Sequence, residues 1–240
     1  MYNILKFTQK FLFLYKWKVS MQIQNNFNST QNFNGIHVAK STNIIDGVKT
    51  SIDLYKMTPK DDKFLMQLRS TKKMKDLMPD NNITPFQFNR WQFLFEYGIS
   101  QSFHRGEHSY LAAVDKKPCG IISFKPTETK FDLDCICTWP VEVGKKVKMA
   151  GQTLFKQIFE DFKNSNANII NLTAITDGPF STVSKYMRLG FKQTGSEDNL
   201  VTMRTNREAI TKTLEKLNEN IKTTQISDGK DENLFDVLSI

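Results

Sequence analysis

The sequence predicts an α/β fold, with short strands forming a sheet flanked by helices, and three stretches carry that expectation. Residues 130–139 alternate Phe131, Leu133, Cys135 and Cys137 against Asp132, Asp134, Ile136 and Thr138, the period of two of a half-buried strand. Ahead of them, residues 109–114 and 119–124 are strand-like runs joined by Asp115-Lys116-Lys117-Pro118, which reads as a hairpin to which the third run should add. Behind them, Leu154, Phe155, Ile158, Phe159 and Phe162 recur at the spacing of an amphipathic helix. With 240 residues, 39% of them hydrophobic and 12% aromatic, the chain is long and apolar enough to bury a full core.

Taken in order, residues 1–45 contain no acidic side chain, and Lys6, Lys10, Lys16, Lys18 and Lys40 carry all their fixed charge. The apolar run 11–15 is too short for a membrane span of about 20 residues or a signal-peptide core of about 7 to 15. An organelle-targeting role for this stretch stays open, as does a start at Met21. Residues 22–41, rich in Asn, Gln, Ser and Thr, read as a linker. The body begins with a strand over 50–57, after which Thr58 can cap a helix that opens at Pro59 with Asp61 and Asp62 in its first turn. Phe64, Leu65 and Leu68 give that helix a buried face. Thr84-Pro85 opens a second helix bearing Phe88, Trp91 and Phe95, too apolar to lie exposed. His104-Arg105-Gly106-Glu107-His108 reads as a polar surface loop, because no carboxylate or cysteine completes a ligand set at a recognised spacing. No metal is therefore expected.

Beyond the third strand, Lys145, Lys146 and Lys148 crowd a turn that runs into Ala150, Gly151 and the amphipathic helix. The first turn of a helix has backbone N–H groups without intrahelical partners and carries about half a positive charge, so this arrangement suits a diphosphate. A strand over 168–175 follows, then a short helix with Val183, Tyr186 and Leu189 that Ser181 can cap and that a left-handed Gly190 would end. Residues 191–194 and 200–204 form a closing strand pair. Ile210, Leu214, Leu217 and Ile221 stripe a last helix over 207–221, and residues 223–240 read as a loose tail. The chain thus divides into a basic extension with linker at 1–48, a body at 49–205, and a helix with tail at 206–240.

The formal net charge of +8 would attract nucleic acid, nucleotides and acidic proteins alike, and so does not choose among them. No RNP-like, KH-like or zinc-finger pattern accompanies it, which disfavours nucleic acid as the partner. The three cysteines, Cys119, Cys135 and Cys137, lie in apolar strand-like surroundings. They read as buried thiols of a protein from a reducing compartment, the cytoplasm.

The run Lys185-Tyr186-Met187-Arg188-Leu189-Gly190-Phe191, followed by Thr194-Gly195, resembles the LYEKLGF…G signature of the GNAT superfamily of N-acetyltransferases. Residues 145–150 fall where that family has its Arg/Gln-x-x-Gly-x-Gly/Ala coenzyme A loop. Residues 54–59 and 64–69 resemble the first strand and helix of the branch that includes ribosomal-protein N-terminal acetyltransferases. The resemblance covers about residues 50–205, with three departures: Lys145 replaces Arg or Gln, Lys148 replaces the first glycine, and Pro179 stands where an Asn is common. It implies a GNAT-like acyl-CoA N-acyltransferase fold, a mixed and mostly antiparallel sheet with helices on both faces. It further implies transfer of acetyl from acetyl-CoA, as co-substrate, to a primary amine of a protein or small molecule by direct attack. The coenzyme would lie along Cys137 and Thr138 and in the turn formed by Lys145, Lys146, Val147, Lys148, Met149, Ala150 and Gly151. Asp134 or Asp132 would take the amine proton, Asp134 being the first choice, and Tyr186 would hydrogen-bond the departing thiolate. A catalytically inactive binding or scaffold protein on the same fold is the alternative, a basic nucleic-acid-binding protein a third reading, and a homodimer stays open. No membrane partner is expected.

Overall fold

The structure, a computed structural model, describes residues 33–45, 48–61, 63–66, 84–101, 108–139, 149–177 and 182–226. Among them run nine strands: β1 (Ile36–Ile45), β2 (Val48–Lys56), β3 (His108–Val114), β4 (Lys117–Pro126), β5 (Lys130–Thr138), β6 (Ile169–Ile175), β7 (Lys192–Glu197), β8 (Leu200–Asn206) and β9 (Ile221–Gln225). Helices α1 (Pro85–Gln101), α2 (Ala150–Lys163), α3 (Val183–Arg188) and α4 (Arg207–Asn220) accompany them, with a further helical stretch at residues 63–66. The strands form one sheet in the order β7-β8-β6-β5-β4-β3-β2-β1-β9. Neighbouring strands are antiparallel throughout, except that β5 and β6 run parallel. The fold is therefore mixed α/β with a mostly antiparallel sheet.

Two cores sit on the two faces. Phe95 and Ile99 of α1 cluster with Tyr55, Leu111, Ile121 and Cys137. On the other face Leu154, Ile158, Phe159 and Phe162 of α2 cluster with Leu54, Ile122, Phe131 and Ile170. Helix α4 lays Ile210, Leu214 and Leu217 into this second core, and Asn206 caps it by accepting from the Ala209 amide at 3.0 Å. No helix among the described residues is long and apolar enough to cross a membrane.

Several elements differ from the sequence expectation. The hairpin turn is only Asp115-Lys116, with φ of 48° and 64°, the double left-handed geometry of a tight two-residue turn, so Lys117 and Pro118 already belong to β4. After β2 the chain opens on a 3-10 turn, Pro59–Asp61, before the helical residues 63–66, whose Phe64 and Leu65 are buried as expected; the Thr58 side chain does not cap a helix starting at Pro59. The fully buried Asp61 holds that turn by accepting from the Thr58 amide at 2.8 Å, the Thr58 hydroxyl at 2.7 Å and the Asn34 amide at 2.6 Å. His108 is no surface-loop residue but opens β3, its ring 5.6 Å from that of Phe124. Ile221 leaves the helical stripe to begin β9, and residues 36–41 belong to β1 rather than to a linker. The expected divisions at 48/49 and 205/206 therefore run through a continuous sheet, since β9 pairs with β1 and β1 with β2. The inward positions of β1 are His37, Ala39, Ser41 and Asn43, so the polarity contrast that marks a strand is missing there.

Candidate functional site

The parallel pair β5–β6 is short. Lys130 to Leu133 pair with Ile169 to Leu172, after which β5 continues to Thr138 and β6 to Ile175 without pairing to each other. Along Asp134 to Thr138, β5 is hydrogen-bonded to β4 on one side and to no described strand on the other. The cause lies in β5 itself. Ser123 of β4 faces Cys135 and the next residue, Phe124, faces Leu133, so Asp134 is the extra residue of a β-bulge. A bulge sharpens local twist and ends pairing, and this one sits where the two strands part.

The bulge also shifts which residues share a face. Phe131, Leu133 and Ile136 pack on the α2 side, whereas Cys137 belongs to the α1 side and the Cys135 thiol donates to the Leu94 carbonyl of α1 at 3.2 Å. The unbroken alternation over 130–139 is therefore corrected: Phe131 and Leu133 do not share a face with Cys135 and Cys137. The two carboxylates separate as well. Asp132 pairs with Lys130 at 2.7 Å and accepts from Asn171 at 2.9 Å, while Asp134 is exposed at the opening.

Helix α2 begins over the unpaired end of β5. A Cβ added to Gly151 would lie 3.8 Å from Cγ2 of Thr138 and 3.9 Å from Cδ1 of Ile136. Met149, the residue before the helix, is left-handed at φ 69° and its side chain makes no capping hydrogen bond; the first turn holds no acidic residue. Among the described residues no side chain caps this helix start, which lies at the mouth of the opening. Of the expected coenzyme residues, Cys137, Thr138, Met149, Ala150 and Gly151 come together here. Cys137 and Ala150 have buried side chains, so only their backbone is available. Lys145, Lys146, Val147 and Lys148 lie outside the described residues.

Tyr186 reaches the same region from α3. Its ring packs edge-on against Phe155 of α2 at 5.7 Å and Phe191 at 6.1 Å. Burial raises its phenol above the ordinary value, and the nearby Cys135 and Cys137 push it the same way. Gly190 fixes this helix end. At φ 86° it is left-handed, and a Cβ there would come within 2.9 Å of the Thr213 hydroxyl on α4. The thiols themselves are free and unactivated: burial pushes Cys119 and Cys135 up to about 12, and raises Cys137 as well.

One feature of the opening was invisible in the sequence. Arg90 of α1 forks onto Asp177, just past β6, with Nη2 at 2.9 Å and Nε at 3.1 Å, and Asn199 donates to the same carboxylate. The Arg90 hydrogen bond holds the Asp177 carboxyl below the usual range. This clasp ties the helix on one face to the C-terminal end of β6 across 87 residues of sequence, a separation that no local pattern reports.

No protein-family model matches the sequence, and no curated protein matches it. Solved structures of acetyltransferases do. The PaiA N-acetyltransferase of Thermoplasma acidophilum, in complex with coenzyme A, is 17% identical over 65% of this chain and 98% of its own, with a TM-score of 0.48. A GNAT-family acetyltransferase of Streptococcus pneumoniae is 16% identical over 65% of this chain and 98% of its own, with a TM-score of 0.42. The Gcn5 protein of Tetrahymena is 14% identical over 60% of this chain and 86% of its own, with a TM-score of 0.41.

Proposed function

We propose that this chain is an acetyl-CoA-dependent N-acetyltransferase of the GNAT type, acting on a primary amine of a protein or small molecule. The observation that carries the reading is the β5–β6 opening with the uncapped start of α2 at its mouth. The two features match the two halves of coenzyme A. The unpaired backbone of residues 134–138 can hydrogen-bond an amide-bearing pantetheine arm as a missing strand would, and the helix N-terminus suits a diphosphate. The Lys145, Lys146 and Lys148 charges would add to that field. The Tyr186-to-Phe191 motif supports the same reading from sequence.

In this mechanism Asp134 accepts the ammonium proton, directly or through a water. The neutral amine attacks the thioester carbonyl to form the C–N bond, the C–S bond breaks, and the thiolate leaves under a hydrogen bond from Tyr186 and takes up the proton that the new amide nitrogen loses. Direct attack fits the thiols, since at physiological pH a cysteine with a value near 12 is almost wholly protonated and a poor nucleophile. Buried, unpaired cysteines also suit a reducing compartment such as the cytoplasm.

The test is ligand-induced stabilisation. At a hundredfold excess over its dissociation constant, acetyl-CoA should add about 2.7 kcal/mol, or roughly 5–11 °C in Tm for a domain of this size. A folded protein whose Tm does not move at saturating acetyl-CoA would overturn the proposal. Amine acceptors are then found by screening peptides, polyamines and amino sugars for CoA release.

A further inference from the structure

A second cleft, of about 420 Å3, lies along another stretch of α2, between that helix and the β1, β2 and β9 side of the sheet. Its lining includes Ser41, Thr153, Lys156, Gln157, Glu160 and Asp161, and no residue of β5, β6 or α3. Most of these α2 residues are unusually dry for their type: Thr153 is 1% exposed, Lys156 5% and Gln157 7%. Their hydrogen-bond accounting is incomplete. The Thr153 hydroxyl is buried with no partner. The Lys156 ammonium donates to the Ile221 carbonyl at 2.8 Å and the Thr223 hydroxyl at 2.9 Å, leaving its third hydrogen without an acceptor among the described residues. Asp161 is satisfied by Tyr110 at 2.5 Å and Gln157 at 3.1 Å, while Glu160 forms no hydrogen bond or close ion pair among the described residues and acts on Lys156 only as a nearby charge.

Buried polar groups in a native protein find partners, and a roomy polar cleft is where a ligand supplies them. The unmatched groups define its chemistry. A hydroxyl and one cationic N–H lie at positions 153 and 156, and a carboxylate one turn further along at 160, about 6 Å away between Cβ atoms. A simple anion would face Glu160 and Asp161, and a simple amine would face Lys156. A molecule carrying both charges a few ångströms apart satisfies all three. We propose that this cleft binds a small zwitterion, a free amino acid, with its carboxylate on Lys156 and Thr153 and its ammonium on Glu160. The site is independent of acetyl transfer and can be tested without coenzyme A.

The experiment is isothermal titration of the full chain with each proteinogenic amino acid, using butyrate and butylamine as single-charge controls. At least one amino acid should bind saturably while neither control does. Thr153→Val keeps the side-chain shape and deletes the unpartnered hydroxyl, so it should weaken binding about tenfold without lowering Tm. Glu160→Gln should weaken it at least as much. Absence of binding by every amino acid overturns the proposal, as does equal binding of a control, or affinity that neither variant changes. Should Thr153→Val fail to fold, Glu160→Gln alone decides, because its side chain is only half-buried.

Discussion

Tyr186→Phe separates the proposed chemistry from packing, because the ring packs in the core while the hydroxyl carries only the proposed chemistry. The ring contacts Phe155 and Phe191, and phenylalanine keeps both contacts. No protein group among the described residues bonds the hydroxyl, so its loss should leave Tm and acetyl-CoA affinity nearly unchanged. Turnover should fall. A hydrogen bond to a charged group contributes about 1.5–3 kcal/mol, and at 1.4 kcal/mol per decade that is roughly 10- to 150-fold in kcat. The pH profile carries more information than the rate. Burial holds the Tyr186 phenol above its ordinary value, so it stays protonated across the workable range and, in the proposed mechanism, would steady the thiolate without surrendering its proton. The alkaline limb of kcat in the parent should therefore not disappear in the Phe variant. The assay is CoA release on an identified acceptor, with chemistry shown to limit the rate. Equal kcat for parent and variant would make Tyr186 a packing residue and remove it from the mechanism.

Two further outcomes follow from the fold. A chain ending at Thr205 should fail to fold, because it loses burial of Ile210, Leu214, Leu217 and Ile221 at about 1.5–3 kcal/mol each, a sum comparable to the whole stability of a domain; one ending at Ile226 should melt cooperatively, and a cooperative melt of the shorter chain would refute the account. Asp161→Asn retains an acceptor for Tyr110 while removing a carboxylate whose value burial raises. The folded parent binds that proton more tightly than the unfolded chain, so its stability drops as pH climbs through the folded value, and both forms are protonated below about pH 3.9. Thermal melts across pH should show the Asn variant more stable at pH 7, with its advantage gone at the acid end, and a variant less stable at pH 7 would show that the hydrogen bonds to Asp161 outweigh its desolvation.

What the sequence made legible were the elements whose burial follows polarity. The stripe of α2, the strand pair around the Asp115-Lys116 turn, the left-handed Gly190 and the stripe of α4 all place apolar residues inward or glycine where φ is positive. The edge of the sheet was not legible, because β1 turns Ser41 and Asn43 inward, both fully buried, and β9 is mostly polar. Their pairing is decided by distant partners, as Lys156 bonding across 65 residues to the Ile221 carbonyl illustrates. The second cleft follows from the same cause, since those polar strands and α4 cover the flank of α2 that carries Thr153, Lys156 and Gln157.

The opening between β5 and β6 was half legible, and the missing half explains its existence. Residues 130–139 alternate so regularly that they predict a strand with one face throughout, and such a strand would have no reason to leave β6 at Leu133. The single extra residue Asp134 supplies that reason: it moves Ile136 onto the face that Leu133 occupies and turns Cys135 toward α1. Alternation of period two cannot report a bulge whose displaced residues are themselves apolar, because Cys135 and Ile136 are both tolerated on a covered face. The parting of the strands is thus encoded in the register between β4 and β5, and the exposed carboxylate that the proposed mechanism would use is the bulge residue beside the slot.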